Sequence, residues 1–373
     1  MAMFSMYFGA GNIVFPLLIG QVTTDQTFWA MLGLIITAVG VPFVGLFAIT
    51  LYNGDYKQFF ARLGKWPAFV IVLLIMGCIG PFGAIPRCIA LSYANTKMFF
   101  DVPSIIPFSI VACVLIFAAT VRKTKIMDIV GWMLTPFFLL SIGLIVVMGI
   151  VGANEIVDPS ALTSAGSFVY GLTTGYNTMD LLGSFFFCLV VNQALHGISS
   201  ENGVLNQKQL AKNGLYSCLV GAFLLAIVYI GMCYVSAFNA SKLEGVQPEL
   251  LIGNIALHVL GPYAGITTCV AVIIATLTTA IALSSIFAEF LQKDVLQERI
   301  SYKLSLILTL VITFFVSTLE FSGIVKMLVP IVQVIYPLLL VLSIVNIVYK
   351  FWGFGKVKAP IVTAIGLSLL LSM

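Results

Sequence analysis

Eleven apolar runs divide this chain, at residues 2–20, 28–51, 66–95, 104–121, 129–151, 165–192, 211–238, 264–290, 304–321, 325–349 and 359–373. A helix rises 1.5 Å per residue, so about 20 apolar residues cross a hydrocarbon core roughly 30 Å thick. Lipid offers no partner to a backbone N–H or C=O, so runs of this length must close their hydrogen bonds internally, as helices. The fold class is therefore an all-α polytopic membrane protein in one transmembrane domain, residues 1–373. Composition points the same way. The chain is 61% hydrophobic and 9% charged, where soluble domains carry about 25% charged residues. That charge is too little to cover a water-facing surface, which excludes a soluble enzyme and a disordered or fibrous chain.

The loops between runs alternate in charge. Lys57, Arg62 and Lys65 lie in loop two, Arg122, Lys123 and Lys125 in loop four, and Lys208 and Lys212 in loop six. Lys293, Arg299 and Lys303 lie in loop eight, and Lys350, Lys356 and Lys358 in loop ten. Odd loops hold only Lys97, Lys242 and Lys326. The positive-inside rule places the even loops and the N-terminus in the cytoplasm, across the cytoplasmic (inner) membrane. One missed helix would invert the pattern downstream of it. The net charge of +4 is thus topological and does not point to nucleic acid. The seven cysteines all fall in apolar runs and read as small core hydrophobes. The chain opens inside its first run with no basic leader and no small-residue cleavage site, which excludes a signal peptide. The last run reads as a partial eleventh helix. Both ends look abrupt, as in a fragment or a misassigned start.

Several spans carry breaks. Span one contains Gly9, Ala10, Gly11, Asn12 and Pro16, and span six contains Gly171, Thr173, Thr174, Gly175, Tyr176, Asn177, Thr178 and Asp180. Close glycines weaken a helix and free its amides and carbonyls, which membrane depth tolerates only beside protein or a wet cavity. Five spans separate the two breaks. An odd offset means that two copies would run through the membrane in opposite directions. Span three (residues 80–87) and span eight (a polar run from Thr276 to Ser285) form a second pair. Pro136 in span five has its counterparts in Pro330 and Pro337 of span ten. This pattern predicts an inverted repeat of five plus five helices with discontinuous helices one and six, the design of secondary transporters. Repeat one covers about 1–151 and repeat two about 160–350. The competing reading is that Gly and Pro are common in all membrane helices.

Phe8-Gly9-Ala10-Gly11-Asn12-Ile13-Val14-Phe15-Pro16 resembles the first-helix motif of the branched-chain amino acid:cation symporters, the BrnQ-type carriers. Gly175-Tyr176-Asn177-Thr178-Met179-Asp180 is similar to their sixth-helix motif. Gly80-Pro81 with Ile85-Pro86-Arg87 is similar to the third, and Thr278-Thr279-Ala280-Ile281 with Ala288-Glu289-Phe290 to the eighth. The resemblance implies a twelve-helix carrier with a LeuT-like ten-helix core. The chain departs from it in a nearly absent leader and a missing twelfth helix. Residues 275–282 also resemble the segment that forms the second sodium site in that fold. This resemblance implies a Na⁺ site made by the carbonyls of Ala275, Ser5 and Phe8 and the hydroxyls of Thr278 and Thr279. Hard cations favour oxygen ligands. The alternative is that both threonines bond back to the preceding turn.

A zwitterionic amino acid needs donors for its carboxylate, and the free N–H groups and dipole at Ala10, Gly11 and Asn12 supply them. It needs acceptors for its ammonium, which the freed carbonyls near Thr174, Gly175 and Tyr176 supply. Phe8, Tyr176, Met179 and Phe185 lie near the breaks in sequence, and no Lys, Arg or Glu does, which argues for an apolar substrate side chain. Leucine, isoleucine and valine are not separated, because one methylene is worth only about 1–3 kcal/mol. Asp180 is the one acid well inside a span, a functional site by default. Its roles are cation ligand, proton carrier or structural acceptor for backbone N–H groups. Arg87 lies far enough along span three to approach the outer surface, where it either snorkels or serves an outer gate.

The function this predicts is Na⁺- or H⁺-coupled uptake of branched-chain amino acids by alternating access. The runner-up is a carrier for another neutral, aromatic amino acid. An enzyme is not expected. An intramembrane aspartyl protease needs two facing carboxylates, and no H-E-x-x-H or G-x-S-x-G is present. No ring of like charge suggests a channel. No cofactor is expected beyond the coupling ion. The expected partners are the substrate and the lipid bilayer.

Overall fold

The structure is a computed structural model that describes residues 8–121, 126–152, 159–186, 207–353, 360, 363 and 366. Among these no strand occurs, and the chain is helical almost throughout. Span one is α1 (Ala10–Thr23), entered from non-helical Phe8 and Gly9. A 3₁₀ turn at Thr24–Gln26 leads into span two, made of α2 (Thr27–Ile35) and α3 (Val41–Thr50) joined by a π-helical turn at Ile36–Gly40. The short α4 (Tyr56–Ala61) follows in loop two. Asp55 caps it, with Oδ1 accepting the Lys57 and Gln58 amides at 2.8 and 3.1 Å.

Span three is α5 (Lys65–Ile79) and α6 (Ala84–Lys97), interrupted at residues 80–83. Spans four and five are α7 (Ile105–Val121) and α8 (Ile126–Val151). Span six begins as α9 (Ser164–Tyr176), capped by Thr163, and becomes helical again as α10 at residues 180–186. Span seven is α11 (Gln207–Phe238). Span eight is the second part of α12 (Leu251–Phe290), which bends at Gly261, where φ is +80°. Its first part makes helix of residues that the sequence assigns to loop seven. Spans nine and ten are α13 (Tyr302–Ser317) and α14 (Glu320–Trp352), the latter carrying Pro330 and Pro337 inside.

Five described stretches are long and apolar enough to cross a membrane, the first of them, Ala10–Thr50, holding spans one and two together. Spans four, five and six are cut short by a break or by the limit of the described residues, and span nine is an unbroken helix of 16 residues. The partial eleventh helix at 359–373 lies almost wholly outside the described residues.

Loops of one parity meet one another. On the even side, Lys57 of loop two pairs with Asp294 of loop eight, and the Tyr56 hydroxyl donates to Asp294 Oδ2 at 2.6 Å. Arg62 donates to Asn346 Oδ1 at 2.8 Å at the even end of span ten, and its guanidinium lies 3.8 Å from the Tyr349 ring centroid. On the odd side, Asp25 of loop one accepts the Ser160 amide of loop five at 2.7 Å. That bond and the Gln26 side chain hold the Asp25 carboxyl below its ordinary pKa. Gln21 reaches the Leu243 carbonyl of loop seven at 2.6 Å, and Ser322 of loop nine donates to the Glu249 carboxylate of loop seven at 3.1 Å. These contacts agree with the span count read from loop charge.

The packing also carries the repeat. Span one lies against span seven, and span six against span two. A shift of five spans exchanges these two pairs. Both seams are built on glycine. A Cβ on Gly20 would meet the Cys233 carbonyl of span seven, and one on Gly33 would lie 2.6 Å from the Leu172 amide of span six. Gly171 and Gly175 would run into the Ala30 carbonyl and the Thr37 hydroxyl of span two. Small residues let membrane helices approach backbone to backbone. The self-paired spans are tied by hydroxyls, Ser92 to Thr276 at 2.6 Å (three and eight) and Ser317 to Ser109 at 3.0 Å (nine and four).

Candidate functional site

The two central breaks face each other. A Cβ on Gly11 would stand 3.2 Å from the Asn177 carbonyl and 3.3 Å from Thr178 Cα, so span one and the opened sixth span meet closely at this glycine. The cavity at this meeting is lined by Gly9, Ala10, Gly11 and Asn12 of span one and by Thr178, Met179, Asp180 and Gly183 of span six. Ile79, Ala84, Arg87 and Cys88 of span three and Thr279 and Leu283 of span eight complete it. It is small, with about 40 Å³ of enclosed space.

The sixth span opens later than the sequence suggests. Thr174, Gly175 and Tyr176 are the expected carbonyl partners of an ammonium, but the last turn tightens and uses their oxygens. The Asn177, Thr178 and Met179 amides donate to the carbonyls of Thr174, Gly175 and Tyr176 at 3.0, 3.3 and 3.1 Å, and the Thr178 hydroxyl adds a bond to Gly175 at 2.9 Å. Helices commonly end in such i→i+3 bonds. The break falls at residues 177–179, with Met179 in the left-handed region at φ +62°. None of Thr174, Gly175 and Tyr176 lines the cavity. Gly175 instead packs on span two, and Tyr176 stacks on Tyr336 of span ten with ring centroids 4.7 Å apart. Tyr336 then accepts the Leu181 amide at 3.1 Å, satisfying a free donor at the start of α10.

Asn12 and Asp180, on facing breaks, are joined directly. Asn12 Nδ2 lies 2.9 Å from both carboxylate oxygens of Asp180 and also contacts the Tyr229 hydroxyl, while its Oδ1 accepts the Gly9 amide at 3.1 Å. Tyr229 of span seven donates to Asp180 Oδ2 at 3.0 Å. All three side chains are buried. Asp180 also opens α10, where a helix N-terminus favours negative charge. The carboxylate thus gathers spans one, six and seven. Side-chain donors meet the carboxylate where the sequence suggests backbone ones.

Of the two roles expected of Arg87, its burial bears on the first. The side chain is only 2% exposed and does not snorkel. Its Nη1 donates to the Asn177 carbonyl at 2.8 Å, and its guanidinium lies 5.8 Å from the Phe15 ring centroid. The expectation that no cation lies near the breaks is therefore corrected: Arg87 lines the cavity. Phe185 is corrected in the other direction. It packs between Phe59 and Phe60, at 5.1 and 5.5 Å, away from the cavity.

The threonines of span eight reach the start of span one. Thr279 Oγ1 lies 3.3 Å from the Phe8 carbonyl and 3.0 Å from the Ala275 carbonyl, and Thr278 Oγ1 lies 2.8 Å from Ala275. Four of the five oxygens expected of a sodium site are thus drawn together. Both hydroxyls also bond back to the preceding turn, as the alternative reading has it. Ser5 lies outside the described residues. Nothing in the sequence marks Tyr229, which is one aromatic in a continuous apolar run with Tyr234 close by.

The family profile described as "Branched-chain amino acid transport protein" matches residues 1–373. The branched-chain amino acid permease BrnQ of Bacillus subtilis (strain 168) is 30% identical over 362 residues, covering 93% of this chain and 80% of its own length. The permease BraB of the same organism is 28% identical, covering 94% and 79%. BrnQ of Lactobacillus delbrueckii subsp. lactis is 26% identical, covering 97% and 83%. Among solved structures, inward-facing Mhp1 superposes with a TM-score of 0.64 at 12% identity, covering 99% of this chain and 88% of Mhp1. MhsT in complex with L-phenylalanine gives 0.62 at 16% identity, covering 100% and 97%. Both are LeuT-fold transporters, and this chain has their fold.

Proposed function

Because the chain belongs to the branched-chain amino acid transport protein family, we propose that it takes up leucine, isoleucine and valine by alternating access, driven by Na⁺ or H⁺ moving inward across the cytoplasmic membrane. It is a transporter of branched-chain amino acids and not an enzyme. The observation that carries the mechanism is the cavity between the facing breaks of spans one and six. The head of α1 offers N–H groups at Ala10 and Gly11 to the substrate carboxylate. The opened backbone after Tyr176 and the carboxylate of Asp180 offer acceptors to the ammonium. Ile79, Met179 and Leu283 supply an apolar wall for an aliphatic side chain.

The coupling ion fits between spans one and eight. The Phe8 and Ala275 carbonyls and the Thr278 and Thr279 hydroxyls form an uncharged oxygen set suited to one Na⁺. Such an ion would fasten the start of span one to span eight and so link its own binding to the shape of the cavity. A monovalent cation crossing 100 mV contributes about 2.3 kcal/mol, and a tenfold gradient about 1.4 kcal/mol more. Together they sustain roughly 500-fold accumulation of a neutral solute. The test is uptake of labelled leucine into proteoliposomes under an imposed Na⁺ gradient or an imposed pH gradient, with the wild-type chain and with Thr278→Val/Thr279→Val. The double variant keeps the volume and removes both hydroxyls. Sodium-driven uptake is expected to collapse in it while insertion is normal. Unchanged Na⁺ dependence rejects the ion assignment, and no leucine uptake by the wild type under either gradient rejects the transport reading.

A further inference from the structure

Arg87 is a buried cation with few partners. The guanidinium carries five N–H donors and is always protonated. One contact goes from Nη1 to the Asn177 carbonyl at 2.8 Å, and the Phe15 ring lies 5.8 Å away. Nε is buried with no hydrogen-bond partner at all. The side chain makes no ion pair with an acid among the described residues. The one acid in the cavity lining, Asp180, already receives Asn12 and Tyr229 on its two oxygens. A charge held at membrane depth in this way is costly unless an anion completes it.

We infer that Arg87 is the carboxylate anchor of the transported amino acid, its guanidinium taking the α-carboxylate across the cavity from the head of span one. The inference rests on the transport reading above and deepens it. A planar fork matches a carboxylate at two points, and such charge-assisted pairs are the strong ones. The ligand class follows: α-amino acids with a free carboxylate, and not the corresponding amides or amines. The bond to Asn177 gives the anchor a second consequence. Arg87 holds the backbone of the opened sixth span, so seating a carboxylate on Arg87 also fixes the segment that borders the substrate ammonium.

The test compares leucine with leucinamide, which keeps the side chain and the ammonium but has no negative charge. Binding of each is measured on the purified full chain, as wild type, Arg87→Gln and Arg87→Lys, each checked for monodispersity and thermal melting. The wild type is expected to prefer leucine. In Arg87→Gln leucine affinity is expected to fall about 10- to 150-fold, with leucinamide unchanged within about threefold, so that the preference collapses. Arg87→Lys keeps the charge without the fork and is expected to recover part of the leucine affinity. Leucine binding by Arg87→Gln within threefold of wild type overturns the inference. Equal loss of both ligands in a folded Arg87→Gln also overturns it, because that is the signature of a prop for the sixth span alone. If Arg87→Gln does not fold or leucinamide binds too weakly to measure, Arg87→Lys decides. Leucine affinity as low as that of a protein with no anchor, more than 150-fold below wild type, rejects the charge as the recognising feature. A wild-type chain that transports leucine but shows no preference over leucinamide rejects Arg87 and leaves the transport reading standing, whereas no leucine binding or transport by the wild type rejects both.

Discussion

Asp180 shows what one residue can and cannot disclose from sequence. Its isolation in an apolar span marks it, and the breaks around Gly11 and Gly175 point to Asn12 as a neighbour. Its other partner, Tyr229, lies in a uniformly apolar span, and only the packing of span seven on span one selects that tyrosine. Arg87 is only half legible: the sequence places it in span three, but its turn toward the cavity and the Asn177 carbonyl is set by packing. The Asp180 geometry yields an expected outcome. Asp180→Asn nearly preserves shape but sets an amide against the Asn12 and Tyr229 donors. A buried donor left unsatisfied costs about 1–3 kcal/mol. Asp180→Asn should therefore melt lower than wild type and lose leucine binding together with uptake, measured by thermal unfolding, calorimetry and proteoliposome flux on one preparation. Retained binding and stability with uptake alone abolished would instead assign the carboxylate to the cation or the proton.

At the level of elements, the broken helices are legible in the sequence and the exact openings are not. Glycine clusters show where a helix is weak, but the final turn of α9 closes on itself with tight bonds and carries the opening on to residues 177–179. The glycines of the cluster serve a different purpose from the opening. Gly171 and Gly175 are the close approach to span two, where no side chain fits. Gly171→Ala would force its methyl onto the Ala30 carbonyl, and overpacking of this kind costs about 1–3 kcal/mol. A Cβ on Gly143, in span five, would meet nothing within 4 Å, and there alanine gains up to about 1 kcal/mol of helix propensity. Thermal melting should therefore fall for Gly171→Ala and hold or rise for Gly143→Ala. Equal effects would contradict the seam between spans two and six.

For the molecule as a whole, loop charge and loop contact give the same two-sided arrangement, although neither uses the other's information. Lys57 meets Asp294 on one side, and Asp25 meets Ser160 on the other. Single cysteines placed at Lys293 and Ala161, in a background with the native cysteines replaced, should be labelled by an impermeant thiol reagent from opposite faces, Lys293→Cys from the cytoplasm. Labelling of both from one face would refute the parity of the spans. The glycine seam has a wider consequence. Span two lends no residue to the cavity lining, yet it is fastened along its length to the first half of span six by contacts too close to slide. A rod fastened over half its length can swing only beyond the last fastening, here Gly175, and the first left-handed residue past it is Met179. Span two and α9 are thus packed as one unit. If the chain works by the proposed alternating access, a substitution in span two, remote from any ligand, is expected to change the rate of uptake and leave leucine affinity as it was.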